Sequence, residues 1–170
     1  PVSEGGGVPA LERVLRGERG PARPLAPPVL VAGDLVLAQT AAILNWLAPR
    51  LGLAPEGESA AAVTNQLVLT VIDLLDEAHD VHHPISGSLY YEQQKEEALR
   101  RAPYFTGVRV PKFLTYFEDV LARNPRGDAW LVGERATVAD LALFQLVSGL
   151  AYAVPRAMDK RIDLGYEGPD

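Results

Sequence analysis

Gln39 and Thr40 are the pair in this chain best placed to do chemistry. They follow residues 28–38, PVLVAGDLVLA, which read as a strand from Val29 to Ala32, a turn at Gly33-Asp34 and a second strand from Leu35 to Ala38. An apolar helix follows, with Thr40 as its expected cap: a threonine hydroxyl accepts from an orphan N–H of the first turn. First-turn N–H groups and the helix dipole together favour a carboxylate at such a junction. The chemistry implied is the holding of one small anionic molecule at a helix start beside a sheet. A plain helix cap is the alternative from these two residues alone.

Three further groups invite a chemical reading. His79, His82 and His83 fall within five residues together with Asp80. Spacings of three and four let His79 share a helix face with either of the other two. Zinc would need a third or fourth ligand, with Asp80 or Asp76 as the candidates, at about 2.0 to 2.2 Å. No H-E-x-x-H signature is present, and imidazoles at a helix end also cap carbonyls, so no metal is expected. Asp73, Asp76, Glu77 and Asp80 line the polar side of the same helix, where a solvated acidic face is the simplest reading. Thr137 and Asp140 have the spacing of a capping box, with Asp in place of Glu or Gln, and are expected to nucleate a core helix without doing chemistry.

The elements that would position these residues are legible as an α+β chain. A short helix over Val8 to Arg16 precedes a loop with three prolines, then the hairpin, then a helix from Thr40 to about Leu51. Pro55 and Gly57 punctuate a linker over 52–58, which separates a sheet-bearing unit (1–51) from a helical one (59–156) and a polar tail (157–170). The helix from Ser59 to His83 places Val63, Leu67, Val71, Leu74, Ala78 and Val81 at helical spacing. Val68, Ile72 and Leu75 widen that stripe beyond one face, as if a second subunit covers the far side. Helices are further expected over Tyr90 to Arg101, with Glu96/Arg100 and Glu97/Arg101 as i,i+4 pairs, over Val110 to Ala122, and from Val138 to about Tyr152. Pro103 and Pro111 should break or kink the join between the first two.

Composition narrows the function classes. The 170 residues are 48% hydrophobic and 22% charged, with a net charge of −6, and the mean hydropathy is +0.02. Scattered arginines in an acidic chain argue against nucleic acid or an anionic membrane as a partner. No apolar run approaches the roughly 18 residues that a transmembrane helix needs. The absence of cysteine excludes a disulfide, a Cys-ligated metal or a Cys nucleophile within this chain.

The hairpin with Pro28 and Gln39-Thr40, followed about a hundred residues later by Trp130-Leu131-Val132-Gly133 and Thr137-Val138-Ala139-Asp140, resembles the cytosolic glutathione transferases, in particular their sigma-like branch and its bacterial relatives. The resemblance runs over residues 8–156. It implies a partial thioredoxin-like unit followed by the all-helical C-terminal domain of that family. It implies transfer of the glutathione thiolate to a small electrophile, with glutathione as co-substrate, in a cytoplasmic homodimer. A noncatalytic interaction or structural domain of the same family is the alternative.

By resemblance, Thr40 with Gln39 holds the γ-glutamyl carboxylate, and Pro28 is a cis-proline exposing the backbone of Pro27 to the cysteinyl part. Pro27 has a carbonyl but no N–H, which leaves that ladder one bond short, about 1 kcal/mol of net hydrogen bonding. Asp73 would cross the dimer interface to the glutathione ammonium, while His79 and His83 would line the electrophile pocket. The strand that carries the family's Tyr, Ser or Cys has no counterpart before Val8, so a fragment or short form is expected. No residue is assigned the catalytic role, and neither Tyr90 nor Tyr104 is promoted to it.

Overall fold

Two four-residue apolar runs, one on either side of Gly33-Asp34, form the sheet. In the computed structural model, which describes residues 6–155 and 158, β1 (Val29–Ala32) and β2 (Leu35–Ala38) pair antiparallel, from Val29↔Ala38 to Ala32↔Leu35. Gly33 takes φ 61°, as a two-residue hairpin turn demands. The Pro27–Pro28 peptide bond just before β1 is cis. Helix α1 (Gly7–Leu15) precedes the hairpin and buries Val14. The loop between them packs on β2 through Gly20. At φ 75° a side chain there would be strained, and its Cβ would sit 2.9 Å from a Val36 methyl. Helix α2 (Thr40–Leu47) follows β2 directly and tightens into a 3₁₀ turn over Ala48–Leu51.

The chain falls into two compact units that divide between Ala54 and Pro55. The second is helical among its described residues. Its axis is α3 (Glu58–His82), which buries Leu67, Val68, Val71, Leu74 and Val81 and packs against α6 (Val138–Ala153). Of the residues that widen the stripe, Val68 is buried within this unit and Ile72 half-buried, whereas Leu75 stays 49% exposed, as does Val63 of the stripe itself at 44%.

One expectation is corrected between α3 and α6. The helix foreseen from Tyr90 is a 3₁₀ turn at Tyr91–Gln93, and the α-helix, α4, spans Lys95–Tyr104. The break is Gln94, whose backbone leaves helical space at φ −138° while its side chain turns into the core. Pro103 does not end α4. The α-helical pattern breaks just beyond it, in a π-helical turn over Phe105–Arg109, from which α5 (Val110–Arg123) continues with Pro111 in its first turn. The polar tail foreseen over 157–170 lies, Met158 apart, outside the described residues.

Candidate functional site

The β2–α2 corner is built by an uncommon backbone state. Gln39 takes φ 71° and ψ 123°, a positive φ otherwise confined to glycine among the described residues. Such a state in a residue with a Cβ costs about 1 to 3 kcal/mol. It corrects the capping expectation: Gln39, not Thr40, is the N-cap, and it makes no side-chain cap bond. Its carbonyl accepts the first helical bond, from the N–H of Ile43 at 3.0 Å. Thr40 stands one position inside the helix, and no described residue bonds its hydroxyl. The N–H groups of Thr40, Ala41 and Ala42, as first-turn donors, have no carbonyl of the helix to bond. Gln39 and Thr40 are both exposed. The corner thus presents three uncapped donors and a hydroxyl, the complement of a carboxylate. Pro27 and Pro28 are exposed on the segment entering β1.

The acidic side of α3 divides into held and open carboxylates. Arg109, from the π turn, grips Glu77 with two parallel bonds, Nη2–Oε1 at 2.6 Å and Nε–Oε2 at 2.8 Å. Those hydrogen bonds, helped by the guanidinium's charge and opposed by burial, hold the Glu77 carboxyl below its usual range. Arg101 reaches Asp80 at 3.2 Å. That contact replaces the expected Glu97/Arg101 pair, and the Glu96/Arg100 pair does not form either. A charge on the neighbouring helix outcompetes one on the same exposed face. Asp73 and Asp76 are exposed, and no described residue bonds their side chains.

The histidines sort themselves at the C-terminal end of α3. His79 and His83 stack with ring centroids 4.8 Å apart, inclined at 26°. His82 turns aside to the Ala78 carbonyl at 3.4 Å and toward the ring of Tyr91. The sequence left either partner open for His79, and the structure pairs it with His83. Among the described residues no group of three or more His, Asp or Glu side chains converges as metal ligands would.

Thr137 and Asp140 close the expected box at the start of α6. The Asp140 carboxylate accepts from the Thr137 N–H at 2.7 Å and hydroxyl at 2.8 Å, while the Thr137 oxygen accepts from the Ala139 N–H at 3.3 Å. Sequence spacing did not reveal the second Asp140 oxygen, which accepts from the Leu131 N–H at 2.8 Å and ties the preceding loop to the helix. It also missed Asn124, whose amide donates to the carbonyls of Trp130 and Gly133, both at 2.8 Å. The Asn-Pro-Arg-Gly turn was the only signal.

The family model described as the C-terminal domain of glutathione S-transferase matches residues 79–166, half of the chain. The chain belongs to the glutathione S-transferase family. Glutathione S-transferase 2 of Onchocerca volvulus is 31% identical over 136 residues, 78% of this chain and 58% of that protein. A glutathione S-transferase of Plasmodium yoelii yoelii is 26% identical over 131 residues, 77% of this chain and 55% of that protein. The solved Pi-class glutathione S-transferase of Onchocerca volvulus superposes with a TM-score of 0.61 at 28% identity, covering 79% of this chain and 59% of that structure. The chain thus spans a little over half the length of these relatives. The fold is that of a partial thioredoxin-like unit followed by the helical glutathione S-transferase domain. No helix among the described residues is long and apolar enough to cross a membrane.

Proposed function

We propose that the protein is a glutathione transferase, a cytoplasmic homodimer that conjugates the glutathione thiolate to a small electrophile in detoxification. The observation that carries this reading is the open helix start at Gln39-Thr40, where a strained N-cap leaves first-turn donors and a hydroxyl unclaimed. The γ-glutamyl carboxylate of glutathione is the anion of matching size and charge. Pro27 gives its carbonyl to the cysteinyl N–H, and Pro28 sets the course of that backbone. Asp73, the open carboxylate at mid-helix on α3, serves the ammonium group of the ligand in the neighbouring subunit. The exposed Val63 and Leu75 supply apolar surface for the dimer contact. His79 and His83 line the electrophile pocket. The group that favours the thiolate is unassigned.

Calorimetry of glutathione binding tests the reading. Thr40→Ala should weaken binding by about 1 to 3 kcal/mol, the worth of a hydrogen bond to a charged group, while Thr40→Ser should bind as the parent does. An unchanged Ala variant removes Thr40 from the site. Asp73→Asn should lower affinity without dissociating the dimer. In a mixed dimer with Asp73→Asn on one chain and Thr40→Ala on the other, both lesions fall on one site if Asp73 acts across the interface. Two impaired sites would place Asp73 in its own subunit's site. One observation favours the alternative of a noncatalytic interaction domain: Pro27 withholds the N–H that a bound peptide backbone would use. Turnover of a chromogenic electrophile separates the two.

A further inference from the structure

Gln94 has 0% relative exposure, yet its amide carries an acceptor oxygen and two donor hydrogens that need partners. All are placed. The oxygen accepts from the N–H groups of Ile85 at 3.0 Å and Ser86 at 3.3 Å. The nitrogen donates to the carbonyls of Ser86 at 3.1 Å and Leu89 at 3.0 Å. His83 Nδ1 lies 3.3 Å from that same nitrogen and 3.2 Å from the Leu89 carbonyl.

Counting donors decides the state of the ring. Both amide hydrogens are spent on Ser86 and Leu89, so none remains for a lone pair on Nδ1. A lone pair there would also face the Leu89 carbonyl, acceptor against acceptor. With the proton on Nδ1, His83 donates to Leu89, whose carbonyl accepts twice, and the buried network is complete. The neutral ring then carries its lone pair on Nε2. His79 stacks on this ring, and a Cβ on Gly87 would lie 3.8 Å from His79 Cε1, so the loop that Gln94 pins folds back over the histidine pair.

We propose that Gln94 is a positioning residue for the second substrate: it pins the 84–89 loop and holds His83 in the Nδ1–H form, so that Nε2 meets the electrophile as a hydrogen-bond acceptor and favours electrophiles bearing an O–H or N–H donor. The inference rests on the reading above that His79 and His83 line the electrophile pocket.

Long-range proton–nitrogen correlation spectra of the 170-residue chain, at a pH high enough to neutralise imidazoles, read the tautomer directly. The parent should show His83 protonated at Nδ1, and a proton on Nε2 overturns the proposal without need of any variant. Gln94→Met keeps the side-chain length and removes the amide. It should give a mixture of His83 tautomers and faster amide exchange at Ile85 and Ser86, and a folded variant with the parent's tautomer also overturns the proposal. The substrate half is read in the protein expressed from its whole gene, with two electrophiles that differ only in O–H against O–CH₃. The parent should favour the hydroxyl compound about fivefold in kcat/KM, the effect of one net hydrogen bond. Gln94→Met should abolish that preference, bringing kcat/KM for the hydroxyl compound and the ether to the same value. A preference that survives Gln94→Met overturns the role of Gln94. If His83→Ala changes neither electrophile's kinetics while the tautomer holds, the pocket reading fails, and the substrate half of the proposal fails with it.

Discussion

Two helices of this chain have a threonine at their start, and the two starts end in opposite states. At α6 Thr137 is the N-cap, 1% exposed, and it shares a carboxylate with its own backbone and the loop before it. At α2 Thr40 stands one position too far along, behind a strained Gln39, and its hydroxyl touches no described partner. A saturated helix start has no capacity left for a ligand and works as a structural joint. An unsaturated one, kept open by a backbone state that costs free energy, is where an anion gains most. The residue type is the same at both, so chemistry is assigned by what the neighbours leave unsatisfied.

The contrast breaks most sharply at α6. Asp140→Ala strips three acceptor contacts at once and should destabilise the helical unit by about 3 kcal/mol, because bonds to a charged group and newly unsatisfied donors both count. Urea unfolding measures it, and a loss under about 1 kcal/mol would mean the box is ornamental. At α2 the opposite sign is expected. Gln39→Gly should raise stability by about 1 kcal/mol through relief of the positive φ, while glutathione binding weakens as the corner loses its fixed form. A variant that gains neither stability nor loses affinity would show the strain to be unrelated to binding.

Within α3 the same contrast separates held from open carboxylates. Glu77, gripped by Arg109, has its carboxyl held below the ordinary value, so its contribution is complete above about pH 4.3 and is lost as pH falls toward the lowered folded-state value. Glu77→Gln should flatten that acid limb in a series of urea midpoints against pH. The smallest effect is expected at Thr40: with no intramolecular partner, Thr40→Ala should shift unfolding by no more than about 0.5 kcal/mol. A larger shift would make it a structural residue after all.

Local rules made much of this protein legible in its sequence. Two short apolar runs around Gly33-Asp34 specified the hairpin, because strand formation and turn chemistry are set by near neighbours. The apolar stripe specified α3, and the three-residue spacing of Thr137 and Asp140 specified the box. The tertiary structure decided the rest. The strain at Gln39, which moved the cap off Thr40, depends on how β2 delivers the chain to α2. Arg101 and Arg109 chose Asp80 and Glu77 because packing against α3 brought those helices alongside. Gln94 stands in a run of polar residues that carries no local mark of burial, and only the returning 84–89 loop made it the buried centre of a network. Periodicity and capping act over a few residues and are written locally. Partner choice among long charged and amide side chains is settled by which of them the folded chain brings within reach.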